Sequence, residues 1–305
     1  MIKNFLDISH EVKAGLKKNK PIIALESTII SHGMPFPENL KIANELESIA
    51  KQYGVIPATI CVLDGKIKIG LCKKELKILA ENKNVKKVTR RNLPETLVRG
   101  ETGATTVAAT MIGAKAAGIK VFATGGIGGV HRNAGTTFDI SADLKELTQT
   151  SVIVISAGIK AILDITKTLE LLETLGVPVY AYKTSEFPAF YSQKSGLNIA
   201  RIDSVEAIVN ILQCQEKLGF KNGILLANPI PAKAEIPFEK MKSTINKALI
   251  KADKNNITGP RITPFLLQTI VKQTKGQALK ANIELVKNNV KLACKISKAY
   301  QKSTK

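Results

Sequence analysis

Short apolar runs alternate with helical patterns along almost the whole chain. The clearest runs are PIIALE (21–26), ATICVL (58–63), IKVFAT (119–124), SVIVIS (151–156), VPVYAY (177–182) and GILLAN (223–228). Continuous apolar strands separated by helices are typical of a parallel sheet that is covered on both faces. A tight turn at Asp64-Gly65 predicts one hairpin among these strands. The sequence therefore predicts a three-layer α/β/α fold with a largely parallel mixed sheet.

The segments between these strands show helical periodicity and are predicted to form helices. The main predicted helices cover 4–18, 37–54, 73–83, 103–118 and 159–175, and the last third of the chain is mainly helical. In the final helix the lysines that recur every three or four residues are Lys287, Lys291, Lys295, Lys298 and Lys302. They predict a helix face that is exposed to solvent. The alternative is a basic face that binds a phosphate backbone. Because no repeat or linker interrupts the pattern, the chain is predicted to form one domain over 1–305.

The charge balance first suggests a nucleic-acid-binding protein. The chain has 45 basic and 25 acidic residues, which gives a formal net charge of +20. Such an excess is common among proteins that bind phosphate backbones. However, aromatic residues make up only 5% and tryptophan is absent, so stacking platforms for single strands are scarce. Arginines are also few, and they supply most forked contacts to bases and phosphates. We therefore expect no nucleic-acid partner.

The cysteines and the N-terminal segment indicate a cytoplasmic protein. The four cysteines form no CxxC pair, so neither a zinc site nor a disulfide framework is expected, and we predict reduced thiols that lie mostly in the core. The first 20 residues lack the uninterrupted apolar region of a signal peptide. No apolar run approaches the ~20 residues of a membrane-spanning helix.

Polar residues that follow buried strands are the first candidates for a site, because ligands gather at the carboxyl ends of parallel strands. Glu26 ends one strand, and desolvation there would raise its pKa and suit it to proton donation, although a cap or salt bridge is the alternative. Lys160 follows another strand at a predicted helix start, where a neutral amine could form a Schiff base. Lys87, together with Arg90 and Arg91, could bind a phosphate or form a solvated basic patch.

The loop over 123–143 is the densest cluster of candidate ligand-binding groups. Its glycines allow backbone amides to approach a ligand closely. Side chains that could bind an anion are His131, Arg132, Thr136 and Thr137. Oxygen ligands of the kind that Mg²⁺ or Mn²⁺ prefers are offered by Asp139, Ser141 and Asp143. The glycine spacing does not fit a dinucleotide-binding fingerprint, and the alternative is a surface loop with turn glycines.

A series of longer motifs resembles the pseudouridine-5′-phosphate glycosidase family, which includes the indigoidine-cluster A proteins. In order, these motifs are ALEST, SHGMPFPENL, TRRNLP, GATTVAATM, FATGGIGGVHR, TFDISADL, SAGIKAILD, ANPIP and TPFLL. The resemblance covers roughly residues 5–300. It implies an α/β/α homotrimer with one Mn²⁺ per subunit. It also implies reversible conversion of pseudouridine 5′-phosphate to uracil and ribose 5-phosphate through a lysine Schiff base.

The resemblance also implies roles for individual positions. It places the proton donor at Glu26, the lysine nucleophile at Lys160 and the metal ligand at Asp139. The implied substrate-binding positions are Lys87, Val107, His131, Ser141, Ala142, Asp143 and Asn282. The chain departs from the family pattern at Pro260 and Arg261, where members often carry a lysine.

Three alternative functions fit parts of the sequence. Another phosphosugar enzyme, such as an aldolase on a barrel, would use Lys160 without needing uracil. An RNA-binding protein would use the net charge of +20. A member of the family's pigment-cluster branch would serve a biosynthetic pathway instead of pseudouridine salvage.

Overall fold

The computed structural model describes residues 2–255, 257 and 262–304. Within these ranges the strands are β1 (Leu6–Ile8), β2 (Ile22–Leu25), β3 (Ile56–Leu63), β4 (Lys66–Ile69), β5 (Lys86–Val88), β6 (Gly103–Thr105), β7 (Val121–Ala123), β8 (Ile153–Ser156), β9 (Val179–Tyr182), β10 (Arg201–Ile202) and β11 (Ile224–Ala227). The helices are α1 (His10–Lys17), α2 (Thr28–Ser31), α3 (Glu38–Gln52), α4 (Lys73–Glu81), α5 (Leu93–Val98), α6 (Val107–Ala117), α7 (Ala134–Thr137), α8 (Ala142–Leu147), α9 (Ile165–Thr174), α10 (Val205–Lys217), α11 (Phe238–Lys254), α12 (Ile262–Gln273) and α13 (Gln277–Ser303).

The strands form a mixed sheet in which most neighbours are parallel. The order is β1-β4-β3-β2-β7-β8-β11-β9-β10, with β6 paired to β3 and β5 paired to β6. Among the described strands, β3 is antiparallel to β4 and β6, and the other pairs are parallel. Asp64 and Gly65 have φ values of 52° and 70°, which is the left-handed conformation that a two-residue hairpin turn requires. The predicted hairpin and the mixed sheet are therefore confirmed.

Helices cover both faces of the sheet. On β3 the Thr59 hydroxyl donates to Glu47 of α3 at 2.7 Å, whereas the next residue, Ile60, packs against Gly113 of α6. Because successive strand residues face opposite sides, α3 and α6 lie on opposite faces. Helix α13 packs beside α3 and against β2, β7 and β8. This arrangement confirms the α/β/α layers.

One cluster of buried apolar residues extends from Val12 to Ile296 and fills the space between the layers. Burial of such side chains is the main favourable term in folding, at about 25 cal/mol per Å² of apolar surface. The assignment of the whole chain to one domain stays a prediction.

Three predicted helix boundaries are wrong. The helix over 103–118 begins at Val107, because Gly103–Thr105 form strand β6, which pairs with β3 and β5. The opening helix over 4–18 begins only at His10, because Leu6 and Ile8 pair with β4 as a short strand. The helix over 159–175 begins at Ile165, where Asp164 caps it by accepting from the Lys167 amide at 3.1 Å. In each of these cases the backbone forms hydrogen bonds with a distant segment, and local periodicity carries no information about such pairing.

The prediction for the last helix is largely confirmed. On α13, Val286 and Val290 are buried, while the lysines from Lys291 onward are exposed. Lys287 instead forms ion pairs with Glu45 and Glu284 at 2.7 and 3.2 Å.

All four cysteines are free, but they are not mostly core thiols. Cys61 and Cys294 are buried, whereas Cys72 and Cys214 are exposed.

In the described part of the chain no helix is both long and apolar enough to cross a membrane.

Candidate active site

The carboxyl ends of three adjacent parallel strands bring the main candidates together. Strands β2, β7 and β8 are neighbours in the sheet. Glu26 follows β2 directly, the glycine loop begins after β7 at Thr124, and Lys160 lies four residues after the end of β8. Parallel strands place these three ends at one edge, where α/β proteins bind ligands.

Glu26 is held in one orientation by threonine hydroxyls. The residue is 7% exposed, and its carboxylate accepts hydrogen bonds from the hydroxyls of Thr28 and Thr124. The carbonyl of Thr124 in turn accepts from the Asn289 amide at 2.8 Å, and Asn289 accepts from Asn228 at 3.0 Å. The carboxylate is therefore connected to α13 and to the loop after β11. Both threonines lie within the recognised motifs, but nothing in the sequence indicated that they orient Glu26.

Lys160 lies in the loop between β8 and α9, not at a helix start. Its backbone amide donates to the Ile127 carbonyl at 3.0 Å, so this segment runs beside the glycine loop. Helix α9 begins five residues later, at Ile165. The predicted influence of a helix N-terminus on Lys160 is therefore wrong, because the backbone of 159–164 bonds to the loop. The flanking residues Ile159 and Ala161 are buried, as the apolar sequence indicated.

Lys87 lies on β5, and four charged groups of the site act on its ammonium. Protein atoms crowded around the amine and the positive charge of Lys160 lower the pKa of Lys87, whereas Asp143, Glu26 and Asp139 act in the opposite direction. The side chain remains open to solvent. The predicted nucleophile, proton donor and metal ligand all lie near enough to Lys87 for their charges to act on its ammonium group.

Asp143 ties the glycine loop to the start of α6. It is buried, and its two oxygens accept from the amides of Ala108 and Gly128 at 2.9 and 2.8 Å. A Cβ at Gly128 would lie only 2.1 Å from the Ser141 hydroxyl, so a side chain does not fit there. The Asp143 carboxylate is occupied by these backbone bonds. Any contact of Ser141, Ala142 or Asp143 with a substrate would have to use other atoms of this turn.

His131 and Asp139 face each other across the end of the loop. Nε2 of His131 lies 3.6 Å from Oδ2 of Asp139, and the His131 amide donates to the Asp139 carbonyl at 3.0 Å. Burial and the charge of Lys87 lower the pKa of His131, and Asp139 opposes them. The described residues contain no group of three or more His, Cys, Asp or Glu side chains able to hold a metal. A divalent ion here would have the Asp139 carboxylate and several waters as ligands. Mg²⁺ is often bound in this way, through one or two carboxylates while it keeps several of its waters.

Of the remaining candidates, some lie beside the glycine loop, and others contact different parts of the protein. Asn282 of α13 lies beside the loop, since its Oδ1 is 3.3 Å from the position of a Cβ at Gly125. Val107 is the buried first residue of α6. Arg132 instead donates to Asn246 at 3.1 Å and to the Ala161 carbonyl at 3.5 Å. It therefore joins the loop to α11.

Some predicted anion-binding groups have structural partners. The hydroxyls of Thr136 and Thr137 donate to the Asn133 carbonyl within α7. Positions Pro260 and Arg261 lie outside the described residues.

Arg90 is a structural residue and not part of a phosphate-binding patch. Its guanidinium donates two hydrogen bonds to the buried carboxylate of Glu146, at 2.6 and 2.7 Å. Glu146 is 1% exposed and also accepts from Thr150. This pair fastens the segment after β5 to α8. It therefore helps to hold Lys87 next to the turn at 141–143.

Removing this guanidinium is expected to destabilise the protein. Arg90→Ala leaves the Glu146 carboxylate buried with fewer donors, which costs several kcal/mol in a fully buried pair. Because Arg90 itself is about half exposed (53%), we expect a decrease of about 2 kcal/mol in the free energy of unfolding, measured by urea denaturation. The matched control is the adjacent exposed Arg91→Ala, for which we expect a decrease of about 0.5 kcal/mol or less. Equal losses in both variants would contradict the structural role.

Comparison with known proteins decides the family. Residues 11–299 match the family described as "Indigoidine synthase A like protein". The chain belongs to this family. The curated pseudouridine-5′-phosphate glycosidase of Petrotoga mobilis is 53% identical over 297 residues and 97% of each chain. The one from Staphylococcus aureus is 49% identical over 302 residues, covering 99% of this chain and 98% of the relative.

Two solved structures share the fold of this chain. The prealnumycin C-glycosynthase AlnA, in complex with ribulose 5-phosphate, superposes with a TM-score of 0.92 at 32% identity over 98% of both chains. An indigoidine synthase A-like protein from Thermotoga maritima gives 0.86 at 36% identity, covering 92% of this chain and 93% of that one. The resemblance and the fold class predicted from the motifs are both confirmed. Every site residue named above lies within the matched range 11–299.

Proposed function

We propose that this protein reversibly cleaves the carbon–carbon glycosidic bond of pseudouridine 5′-phosphate, which gives uracil and ribose 5-phosphate. The observation that carries the proposal is the convergence of Glu26, Lys160 and Lys87 at one edge of the sheet. A carboxyl group, an amine and a further cation are the groups that this substrate requires. About half of the residues are identical to those of curated glycosidases for it.

The bond to be broken excludes the usual route of glycosidases. The base is attached through carbon, so no glycosidic oxygen is present for a carboxylic acid to protonate. A lysine amine provides another route, because an imine can form at C1′ as the carbon–carbon bond breaks. Lys160 lies at this edge of the sheet, beside the glycine loop, where its amine can reach a bound sugar.

The proposed sequence has three steps. The neutral amine of Lys160 attacks C1′ while Glu26 protonates the departing ring oxygen, which opens the sugar. The nitrogen lone pair then forms the C=N bond as the bond to uracil breaks, and C5 of the base takes a proton. Water finally adds to the imine, which releases ribose 5-phosphate and restores the amine. All steps are reversible, so the same site can also join the two products.

The phosphate is proposed to bind between Lys87, the start of α6 at Val107 and the turn at 141–143. Asp143 already joins these two backbone segments, so they present a fixed surface. Helix N-termini bind phosphate through backbone amides and the helix dipole. Lys87 adds a point charge that compensates the dianion. His131 and Asn282, on either side of the glycine loop, are proposed to contact the base or the sugar.

One Mn²⁺ per subunit is proposed at Asp139. The single carboxylate fits an ion that keeps most of its water, and such an ion supplies positive charge and ordered water when bound. In the same proposal the protein is a cytoplasmic homotrimer. Light scattering is expected to give about three times the chain mass of 33.0 kDa.

The test is uracil release from pseudouridine 5′-phosphate. We expect equal amounts of uracil and ribose 5-phosphate. Activity should be lost after treatment with a chelator and restored by Mn²⁺ more fully than by Mg²⁺ or Ca²⁺. Activity that survives complete chelation would contradict the metal proposal. Cleavage of other phosphosugars without any uracil release would favour the aldolase alternative, and RNA binding that falls steeply with salt would favour the RNA-binding one.

A further inference from the structure

His32 is a partly buried imidazole at this site that the proposed mechanism does not use. It lies in the motif SHGMP, directly after α2, and its backbone amide donates to the Thr28 carbonyl at 2.8 Å. The ring nitrogen Nδ1 is buried and has no hydrogen-bond partner among the described residues. Buried polar atoms without partners are uncommon in folded proteins, because each loses its hydrogen bonds to water. Such an atom in a candidate site is a natural contact for a ligand.

The surroundings of His32 place it beside Lys87. Burial and the charge of Lys87 lower the pKa of His32, while the nearby backbone of Val85, just before β5, acts in the opposite direction. Helix α2 also follows Glu26 by one residue. His32 is thus linked through Thr28 to Glu26, whose carboxylate accepts from the Thr28 hydroxyl, and it lies close enough to Lys87 to be affected by its charge. At neutral pH the imidazole is expected to be uncharged.

We propose that His32 is a substrate-binding residue whose Nδ1 forms a hydrogen bond with a ribose hydroxyl of the phosphorylated substrate. This proposal rests on the proposed function. A hydroxyl can both donate and accept, so it fits an uncharged imidazole in either tautomer. A phosphate dianion only accepts, and Lys87 already offers donors to it. The sugar hydroxyls are the groups of the substrate that lie next to the phosphate.

Binding measurements with matched ligands test the assignment. The ligands are ribose 5-phosphate, its 2-deoxy and 3-deoxy analogues, and inorganic phosphate, each titrated calorimetrically into wild type, His32→Phe and His32→Asn. We expect His32→Phe to lower the affinity for ribose 5-phosphate by about tenfold or more and to leave the affinity for inorganic phosphate unchanged. His32→Asn, which keeps a polar atom near Nδ1, should recover part of the affinity. For one of the two deoxy analogues, His32→Phe should cause no further loss.

Two results would overturn the proposal. An equal loss of inorganic phosphate binding would show a phosphate contact or a general disturbance of the site. An equal loss for ribose 5-phosphate and both deoxy analogues would show that no ribose hydroxyl is involved. If wild type binds ribose 5-phosphate but releases no uracil, the proposed function fails while the assignment of His32 is still decided by the binding data.

A second measurement follows the His32 ring of the wild-type protein itself. The chain has three histidines, so the ¹⁵N signals of the imidazoles can be assigned with His32→Asn. The Nδ1 signal of His32 should shift when ribose 5-phosphate binds and stay unchanged with inorganic phosphate. A His32 signal that does not respond to ribose 5-phosphate contradicts the proposal.

Discussion

Replacement of Lys160 by alanine should abolish uracil release, with a loss of about 10⁴-fold or more in kcat, as is usual when a nucleophile is removed. Without the amine no covalent bond to C1′ can form. No imine can then develop at C1′ as the bond to uracil breaks. In wild type, borohydride added together with ribose 5-phosphate should reduce the imine to a stable amine. Mass spectrometry of peptides should then locate the added sugar phosphate on Lys160 alone.

Lys87→Ala is the matched control, because it removes the other ammonium of the same site. It should weaken binding of ribose 5-phosphate, yet borohydride should still attach the sugar to Lys160. Lys160→Arg adds a second control, since it keeps the positive charge but provides no neutral amine at neutral pH. An adduct on Lys87, or turnover that survives Lys160→Ala, would contradict the assignment of the nucleophile.

The fold was predictable where burial dominates the sequence pattern. Strands β2, β8 and β11 are continuous apolar runs that are buried on both faces, and such runs leave little ambiguity. Strand β1 was missed because Leu6 and Ile8 are too few to show a period, and their partner β4 lies about 60 residues further along the chain. Short edge strands of this kind depend on tertiary pairing, which a local pattern does not contain.

The edge of the sheet where the candidate residues lie was predictable, but their supporting contacts were not. Glu26 and Lys160 were chosen as candidates because polar residues that follow buried parallel strands lie at the carboxyl edge of the sheet. The expected helix start at Lys160 was wrong, since its backbone bonds to Ile127 in the glycine loop. Arg90 looked like a phosphate ligand because its partner, Glu146, is 56 residues away. Contacts between distant segments decide these roles.

Replacement of Glu26 by glutamine should lower kcat by about 10²–10⁴-fold, the range for loss of a general acid, and change KM little. Glutamine has the same length and can still form hydrogen bonds with the hydroxyls of Thr28 and Thr124. It cannot deliver a proton to the departing ring oxygen, so opening of the sugar is slowed while substrate binding persists.

Thr124→Val separates the orientation of Glu26 from its chemistry. The carboxyl group is kept, but one of the two hydroxyl donors that fix it is removed. Because the acid remains and only its orientation is loosened, we expect a loss in kcat of about tenfold, well below that of Glu26→Gln. Steady-state kinetics of uracil release give kcat and KM for both variants. A parallel rise in KM for Glu26→Gln would show that Glu26 binds the substrate instead of protonating it, and equal losses in the two variants would show that the carboxyl group supplies no proton of its own.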